Sequence, residues 1–543
     1  MPTAPPYDAI VIGAGHNGLT CACYLADAGL RVKMLERRAV VGGAAVTEEF
    51  FPGFRNSTAS YTVSLLHPGV IRDLKLAEHG LRIIERPVAN FLPLSDTQYL
   101  KIGGSLVATQ AEVARYSLKD AEALPEYYRT LEQVADVLRE LALQTPPNLG
   151  GGVRDVWAAL KTGNRLRRLD MSSRRDVLDL FAKSAGDFLD GWFESGGIKA
   201  AFAFDAIVGN FASPYAAGTA YVLLHHVFGE VNGKRGAWGH AVGGMGAITQ
   251  AMAAEAQCRG VEIETEAPVA KVWVEDGRAR GVELFDGRIL ESRCVVGNVN
   301  PKLLYLELIE DGVLDPEITR RMRNWKCASA TFRMNVALSE LPDFLCVPGS
   351  TVQAHHQSGI IIAPSLRYME QAYFDARTYG CSRAPVIEML IPSIADETLA
   401  PPGRHVASLF CQHFNPVLPN ALEWDEIREP AADLVIDTVT RYAPNFKSAV
   451  LGRMILTPLD LEREFSLTGG DIFHGALTLD QLWSARPMLG YADYRAPIKD
   501  LYLCGAGTHP GGGVTGIPGH NAAREIIRDF RRRKDEWKPA PKP

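Results

Sequence analysis

"YDAIVIGAGHNGLTCACYLADAG" occupies residues 7–29, and what this stretch folds into decides the architecture of the rest. Residues 8–12, DAIVI, are a short β-branched apolar run of the kind that forms a strand buried on both faces of a parallel sheet. Gly13, Gly15 and Gly18 follow as GxGxxG, and Ala22 and Ala26 lie four and eight residues past Gly18. On a helix those two alanines share a face, small enough for the helix to lie close on the sheet. A second strand, RVKML, ends at Glu36, 23 residues beyond Gly13. Each residue type answers a need of a bound dinucleotide. The glycines admit a pyrophosphate to bare amides, the helix N-terminus offers partial positive charge, and the terminal acid accepts hydrogen bonds from a ribose. A lone GxGxxG is a weak signal, but strand, turn, helix, second strand and acid in register predict a dinucleotide site.

The next stretch, RRAVVGGAAVTEEFFPGF, carries Gly42-Gly43 just beyond the ribose strand. The pair lets the backbone pass close to a bulky group there; on its own it reads equally as a type II turn. The far end of the chain repeats the opening theme with LYLCGAGTHPGGGVTGIPGHNAA at 501–523. It reads as a strand, a glycine-rich turn and a helix whose first turn can aim amides at O2 and N1 of a flavin and stabilise its anionic reduced form. The alternative is a strand and helix that merely complete the sheet. A nicotinamide fold finishes its site within one contiguous domain, whereas an FAD fold draws a distant segment to the ribityl chain and ring. Two glycine turns at opposite ends therefore predict one long cofactor, FAD. Between them, residues 236–301 read as a glycine loop, an amphipathic helix and short strands with Asp276-Gly277 and Asp286-Gly287 as hairpin turns. This meander returns the chain to the first domain and sets Val269 near the adenine.

The ordered set VIGAGHNGL, LERRAVVGGAA, GGMGAITQAMA, APVAKVWVEDGRARGVELFDGR, VVGNVNP and the closing segment resembles the phytoene desaturase-type FAD-dependent oxidoreductase family. That family takes in carotenoid desaturases and isomerases, retinol saturase and, nearest in pattern, the pyridine nucleotide-disulfide oxidoreductase domain-containing protein 2 group. The similarity spans essentially the whole chain. It implies an α/β fold: a bipartite, Rossmann-like FAD-binding domain of the glutathione reductase/amine oxidase type, interleaved with a mixed α+β substrate domain. The first would comprise 1–64, 236–300 and 491–535, the second 65–235 and 301–490. Carried over by position, the resemblance puts Gly13, Gly15, Asn17 and Gly18 at the phosphates and Glu36 and Arg37 at the adenosine ribose. Gly43 and Ala44 lie alongside, Val269 is at the adenine, and Gly505, Thr508, His509, Thr515, Gly516 and Ile517 surround the ribityl chain and ring. Many relatives read GGR where this chain has Gly43-Ala44, which weakens transfer of carotenoid chemistry more than of FAD. Amine oxidase cousins sometimes attach flavin through a cysteine some forty residues before the last glycine turn. This chain has none there, so FAD is expected to be held non-covalently.

Composition sets outer bounds. The 543 residues are 47% hydrophobic and 22% charged with formal charge −6, so several packed units are expected and nucleic acid is not an expected partner. The nine cysteines form no CxxC pair, and no zinc set is signalled. The opening MPTAPPYD has no charged n-region followed by an apolar one, and no apolar run approaches the roughly 18 residues of a membrane span. A cytoplasmic protein, at most resting on a membrane, is the expectation. Residues 161–175, KTGNRLRRLDMSSRR, set six cations against Asp170; a solvated basic face is the default reading, docking on anionic lipid or a partner the other. Within 122–143, Tyr127, Leu131, Val134, Leu138 and Leu141 give the three-to-four spacing of a core-facing helix.

Tyr61, in the segment after Gly42-Gly43, is a candidate lining residue, and the resemblance puts His474 and Arg486 near the roof of the active site. His509 is the candidate for proton transfer, although a lone histidine more often makes a structural hydrogen bond. The expected reaction passes a hydride from an apolar substrate (polyene, isoprenoid or lipid-like) to flavin N5, with proton loss from the adjacent carbon giving a C=C bond. No second complete GxGxxG unit with an acid-ended strand is present, so a tightly held nicotinamide is not expected and oxygen or a quinone is the expected acceptor. Three rivals stay open: an amine oxidase, a redox-neutral double-bond isomerase, and an FAD-bound interaction protein.

Overall fold

The computed structural model describes residues 6–148, 150–349 and 351–533. Tyr7–Ile12 is a central strand of a parallel sheet. Val32–Leu35 and then Glu262–Glu264 pair on one side of it, and Ile289–Gly297 followed by Leu501–Leu503 on the other. The strand is buried on both faces, as its apolar run requires: Ala9 and Val11 enter one core, Ile10 and Ile12 the other. The first core is roofed by helices His16–Asp27, Gly246–Cys258 and Ile517–Arg532. The two helices from opposite ends of the chain touch almost backbone to backbone, because a Cβ on Gly519 would strike the carbonyl oxygen of Asn17. On the other face lie the strands Val269–Glu275 and Arg278–Leu284, antiparallel to one another and to the start of Ile289–Gly297. Asp276 and Gly277 turn between them with both φ values positive, at 49° and 69°, the geometry that a two-residue hairpin favours.

A second, mainly antiparallel sheet runs in the order Val450–Leu456, Thr331–Leu338, His405–Phe414, Cys381–Leu390, Gly359–Ile362, Asn90–Pro93, Tyr99–Ile102. Thr331–Leu338 is buried along its whole length yet alternates in polarity. Phe332, Met334, Val336 and Leu338 join the apolar core under helix Trp424–Thr440, whereas Thr331, Arg333 and Asn335 point to the opposite face, toward the glycine turns. Helices Leu118–Ala142, Gly196–Ile207 and Thr219–Val227 cover that face, with Tyr127, Leu131 and Val134 in their shared core as the spacing predicts. The hairpin Thr47–Phe51/Phe54–Ser57 bridges the sheets: Phe54 packs on Ala337 and Val406, and Asn56 donates from Nδ2 to Asn335 Oδ1 at 2.9 Å. Among the described residues no helix is long and apolar enough to cross a membrane.

Candidate functional site

The first glycine turn is held from two sides. Asn298, at the end of the sheet, donates from Nδ2 to the Gly13 carbonyl at 3.0 Å. Glu36 accepts from the Ala14 amide at 2.9 Å and the Arg38 amide at 3.0 Å, so its buried carboxylate pins the loop and its own strand end together. Gly42 donates from its amide to the Ala14 carbonyl at 2.9 Å, and a Cβ on Gly43 would stand 3.3 Å from the Gly15 Cα. Two bare backbone turns therefore face each other, leaving a slot that side chains would fill.

A cavity of about 880 Å³ runs along this slot. At one end it is lined by Glu36, Arg37, Pro268, Val269 and Phe285, and in the middle by Gly13, Gly15, Asn17, Gly43, Ala44 and Asn298. It continues between Tyr61, Thr62 and Ser64 on one side and Phe473, His474, Ala506, Gly513 and Val514 on the other. It ends among Phe204, Asp205, His226, Trp238, Glu388 and Phe410. No cysteine lines it, and no cluster of three metal-binding side chains occurs among the described residues.

Several expected residues stand behind the wall rather than on it. Gly18 is buried, and a Cβ there would meet the Gly13 carbonyl and lie 2.8 Å from Asn298 Nδ2. Thr508 donates to the Gly505 carbonyl at 2.9 Å, and the Ile517 amide donates to Thr515 Oγ1 at 3.1 Å. Gly516, at φ 74°, starts the last helix in a left-handed conformation. Gly505, Thr508, Thr515, Gly516 and Ile517 thus shape the turn that offers Ala506, Gly513 and Val514 to the cavity.

His509 is a correction to the sequence reading. Its ring turns away from the long cavity, meets the Leu141 carbonyl through Nε2 at 3.1 Å, packs edge-on against Trp483 and lines a separate apolar cavity of about 670 Å³. Burial pushes it down to about 4, so it stands neutral. The ring makes a structural hydrogen bond, the other reading of a lone histidine, and does not line the long cavity. His474 does line the long cavity and is also pushed to about 4, by burial first and then by the charge of Arg486. Fully buried Arg486 spends its guanidinium on the carbonyls of Phe473, Gly475, Ala476, Gln481 and Ala506, lacing the loop that carries His474 to the last glycine turn.

The far end of the cavity is built on the polar face of the second sheet. Tyr61 donates to Glu388 Oε2 at 2.5 Å, stacks on Phe410 with ring centroids 5.3 Å apart and covers the Arg333 guanidinium at 4.5 Å. Burial, and then the charge of Glu388, hold the Tyr61 hydroxyl well above its ordinary range. Arg86 Nη1 lies 3.5 Å from Glu388 Oε1, and its Nη2 donates to Thr62 Oγ1 at 2.5 Å. Asn298, Asp205, Glu388 and His226 were missed by sequence reasoning. For Asp205 and Glu388 the available signal was an acid inside an apolar run, at FAFDAIV and VIEML.

The donor set fits FAD: a carboxylate at the ribose end, bare backbone where a pyrophosphate must approach, and an enclosed continuation for the ring. A family model described as "Flavin containing amine oxidoreductase" matches residues 18–332. The chain is 42% identical to the rat pyridine nucleotide-disulfide oxidoreductase domain-containing protein 2, over 97% of this chain and 94% of that one. It is 26% identical to a limonene dehydrogenase subunit of Castellaniella defragrans (96% and 95% covered). It is 27% identical to a lycopene-forming phytoene desaturase of Pseudescherichia vulneris (94% and 96% covered). Among solved structures, an oxidoreductase from Methanosarcina mazei shares the fold at TM-score 0.60 and 17% identity, covering 96% of this chain and 100% of that one.

Proposed function

Because the chain belongs to the flavin containing amine oxidoreductase family and works with FAD, we propose that it dehydrogenates a predominantly apolar substrate of polyene, isoprenoid or lipid type. The observation that carries this reading is the cavity itself. Beyond the last glycine turn it continues into a chamber walled largely by Phe204, Val208, Trp238 and Phe410, and no cluster of three metal-binding side chains occurs among the described residues. The relatives named for limonene dehydrogenase and phytoene desaturase support the same chemistry. FAD, when bound, supplies the two-electron acceptor: a hydride leaves one C–H bond, a proton leaves the neighbouring carbon, and the remaining pair closes a C=C bond. Oxygen or a quinone then takes the two electrons.

The chain's own residues bind, orient and exclude water. Gly13, Gly15 and Asn17 would hold the pyrophosphate, with Gly18 letting the helix pack close behind them, Glu36 and Arg37 the ribose, Val269 the adenine, and Gly43 and Ala44 the path between. Gly505, Thr508, Thr515, Gly516 and Ile517 would shape the ring end. Tyr61, fixed by Glu388, Phe410 and Arg333, forms one wall of the chamber and limits how a substrate lies. Anaerobic mixing with polyenes, retinoids and long-chain lipids tests this reading: bleaching of the flavin absorbance by at least one class is expected. An unchanged spectrum with all three, alongside bleaching and hydrogen peroxide release with amines, would replace it with amine oxidation.

We place the protein in the cytoplasm at a membrane surface, where apolar substrates reside. Helix Val153–Arg168 leaves Val153, Val156, Trp157 and Leu160 exposed at 74%, 55%, 68% and 60%, an apolar stripe at helical spacing. Lys161, Arg168 and Arg175 lie in the adjoining basic stretch with no ion pair among the described residues, which suits an anionic bilayer. Ion pairs Arg154–Glu525 at 3.0 Å and Arg165–Glu140 at 3.4 Å fasten the helix to the body, and Thr162 faces the second, apolar cavity. Sedimentation with phosphatidylcholine/phosphatidylglycerol vesicles at low salt is expected, and loss of it in Trp157→Glu/Leu160→Glu with flavin content unchanged. Wild-type protein that stays in the supernatant at low salt would remove the membrane from this account.

A further inference from the structure

Asp205 is the acid within the otherwise apolar second half of helix Gly196–Ile207, and its side chain lines the far chamber beside Phe204 and Val208. Its carboxyl has no hydrogen-bond or ion-pair partner among the described residues. Glu388, across the chamber, is the opposite case: Tyr61 occupies one oxygen and Arg86 faces the other. A half-buried carboxyl that faces the cavity without a protein partner is left to be answered by whatever occupies the cavity.

The charged and titratable groups that act on Asp205 come from several elements. They are Glu388 on strand Cys381–Leu390, Arg86 beyond strand Ile83–Glu85, His226 on helix Thr219–Val227, and Tyr127 and Tyr128 on helix Leu118–Ala142. Burial first, and then the charge of Glu388, push the Asp205 carboxyl up from 3.8 to about 8, with Arg86 pulling the other way. His226, pushed down to about 4, is neutral, and its ring meets the backbone carbonyls of Val222 and Asp205, so it gives Asp205 no counter-charge. At neutral pH the chamber therefore holds a protonated carboxyl whose O–H has no protein acceptor.

We propose that Asp205 anchors the substrate by donating a hydrogen bond to a single neutral oxygen function, a hydroxyl or carbonyl, carried by an otherwise apolar molecule. The proposal rests on the dehydrogenation of apolar substrates argued above and narrows the class. A plain hydrocarbon offers nothing to the carboxyl. An ammonium would meet an uncharged acid, an already occupied Glu388 and the like charge of Arg86.

The experiment titrates the FAD-loaded protein with limonene, perillyl alcohol, perillaldehyde and perillylamine, which share one skeleton, and reads the shift of the flavin absorbance from pH 6 to 9.5. Perillyl alcohol is expected to bind about tenfold tighter than limonene at pH 7. Perillaldehyde, which can only accept, should show the same advantage at pH 7 and lose it over about one pH unit once the carboxyl ionises above about 8, whereas the alcohol can still donate to the carboxylate. Asp205→Asn, which keeps a donor, should retain the preference and lose the pH dependence; Asp205→Leu should bind alcohol and hydrocarbon alike. Equal binding of alcohol and limonene by the wild type overturns the anchor while leaving the apolar reading intact. Tighter binding of the amine, rising through pH 8, overturns it in favour of cation recognition. No response to any of these ligands overturns the apolar reading together with the anchor.

Discussion

Arg486→Met is expected to yield protein that is insoluble or, where recovered, free of flavin and melting about 10 °C or more below wild type. The guanidinium is fully buried and satisfies five carbonyls on three separated stretches, at distances from 2.8 to 3.3 Å. Each carbonyl left unpaired in the interior costs about 1–3 kcal/mol, so five together exceed about 5 kcal/mol, comparable with the whole 5–15 kcal/mol margin of a typical domain. The same side chain is the cation that offsets buried Asp471, whose carboxyl burial pushes up to about 6. Removing it leaves that acid buried without a counter-charge. Arg486→Lys should recover only part of the loss, because a compact ammonium has three donors and cannot reproduce the planar fork. Thermal melting and the ratio of flavin to protein absorbance check both variants; a Met variant of wild-type stability and colour would show that the loop 473–481 is not held as described.

Gly18→Val is expected to leave a folded protein that has lost most of its FAD affinity. The added Cβ would press on the Gly13 carbonyl and stand 2.8 Å from Asn298 Nδ2. Neither partner can retreat cheaply: Gly13 directly follows a strand paired on both sides and donates its amide to the Leu35 carbonyl, and Asn298 is tied to the Gly13 carbonyl. The helix must tilt off the sheet instead, taking the amides of its first turn away from the pyrophosphate. Overpacking of this kind costs about 1–3 kcal/mol, which at the cofactor corresponds to about a 5- to 150-fold rise in Kd. Titration of the apoprotein with FAD measures it, with circular dichroism confirming that the fold persists; Gly18→Ala should lie between. Unchanged FAD affinity would mean that the first helix does not need its close approach to the sheet.

The opening and closing segments were legible because their requirements are local. A glycine turn between a buried strand and a helix, an acid 23 residues on, and paired Asp-Gly turns all depend on backbone geometry that neighbouring residues dictate. Asp276-Gly277 shows the principle, since both residues adopt the positive φ that the dipeptide favours. His509 shows its limit. Which way a residue faces from the 504–513 turn is decided by Leu141 and Trp483, far away in sequence, and they draw the ring into the second cavity. Tyr61 apart, the far chamber was illegible for the same reason. Tyr61, Asp205 and Glu388 belong to three segments with no common motif, and only the pairing of the second sheet and the packing of helix Gly196–Ile207 over it bring them together. The polar stripe Thr331, Arg333 and Asn335 is buried beneath the segment 56–61 by the same kind of long-range contact.

The most direct test of the central claim is an electron density map of the protein crystallised with FAD. The account predicts adenosine between Glu36 and Val269, pyrophosphate over Gly13 and Gly15, and the isoalloxazine against Ala506, Gly513 and Val514 with its free face open to the chamber of Tyr61, Asp205 and Glu388. Density for the ring away from the 505–517 turn, or a ring whose free face is sealed from that chamber, would contradict it.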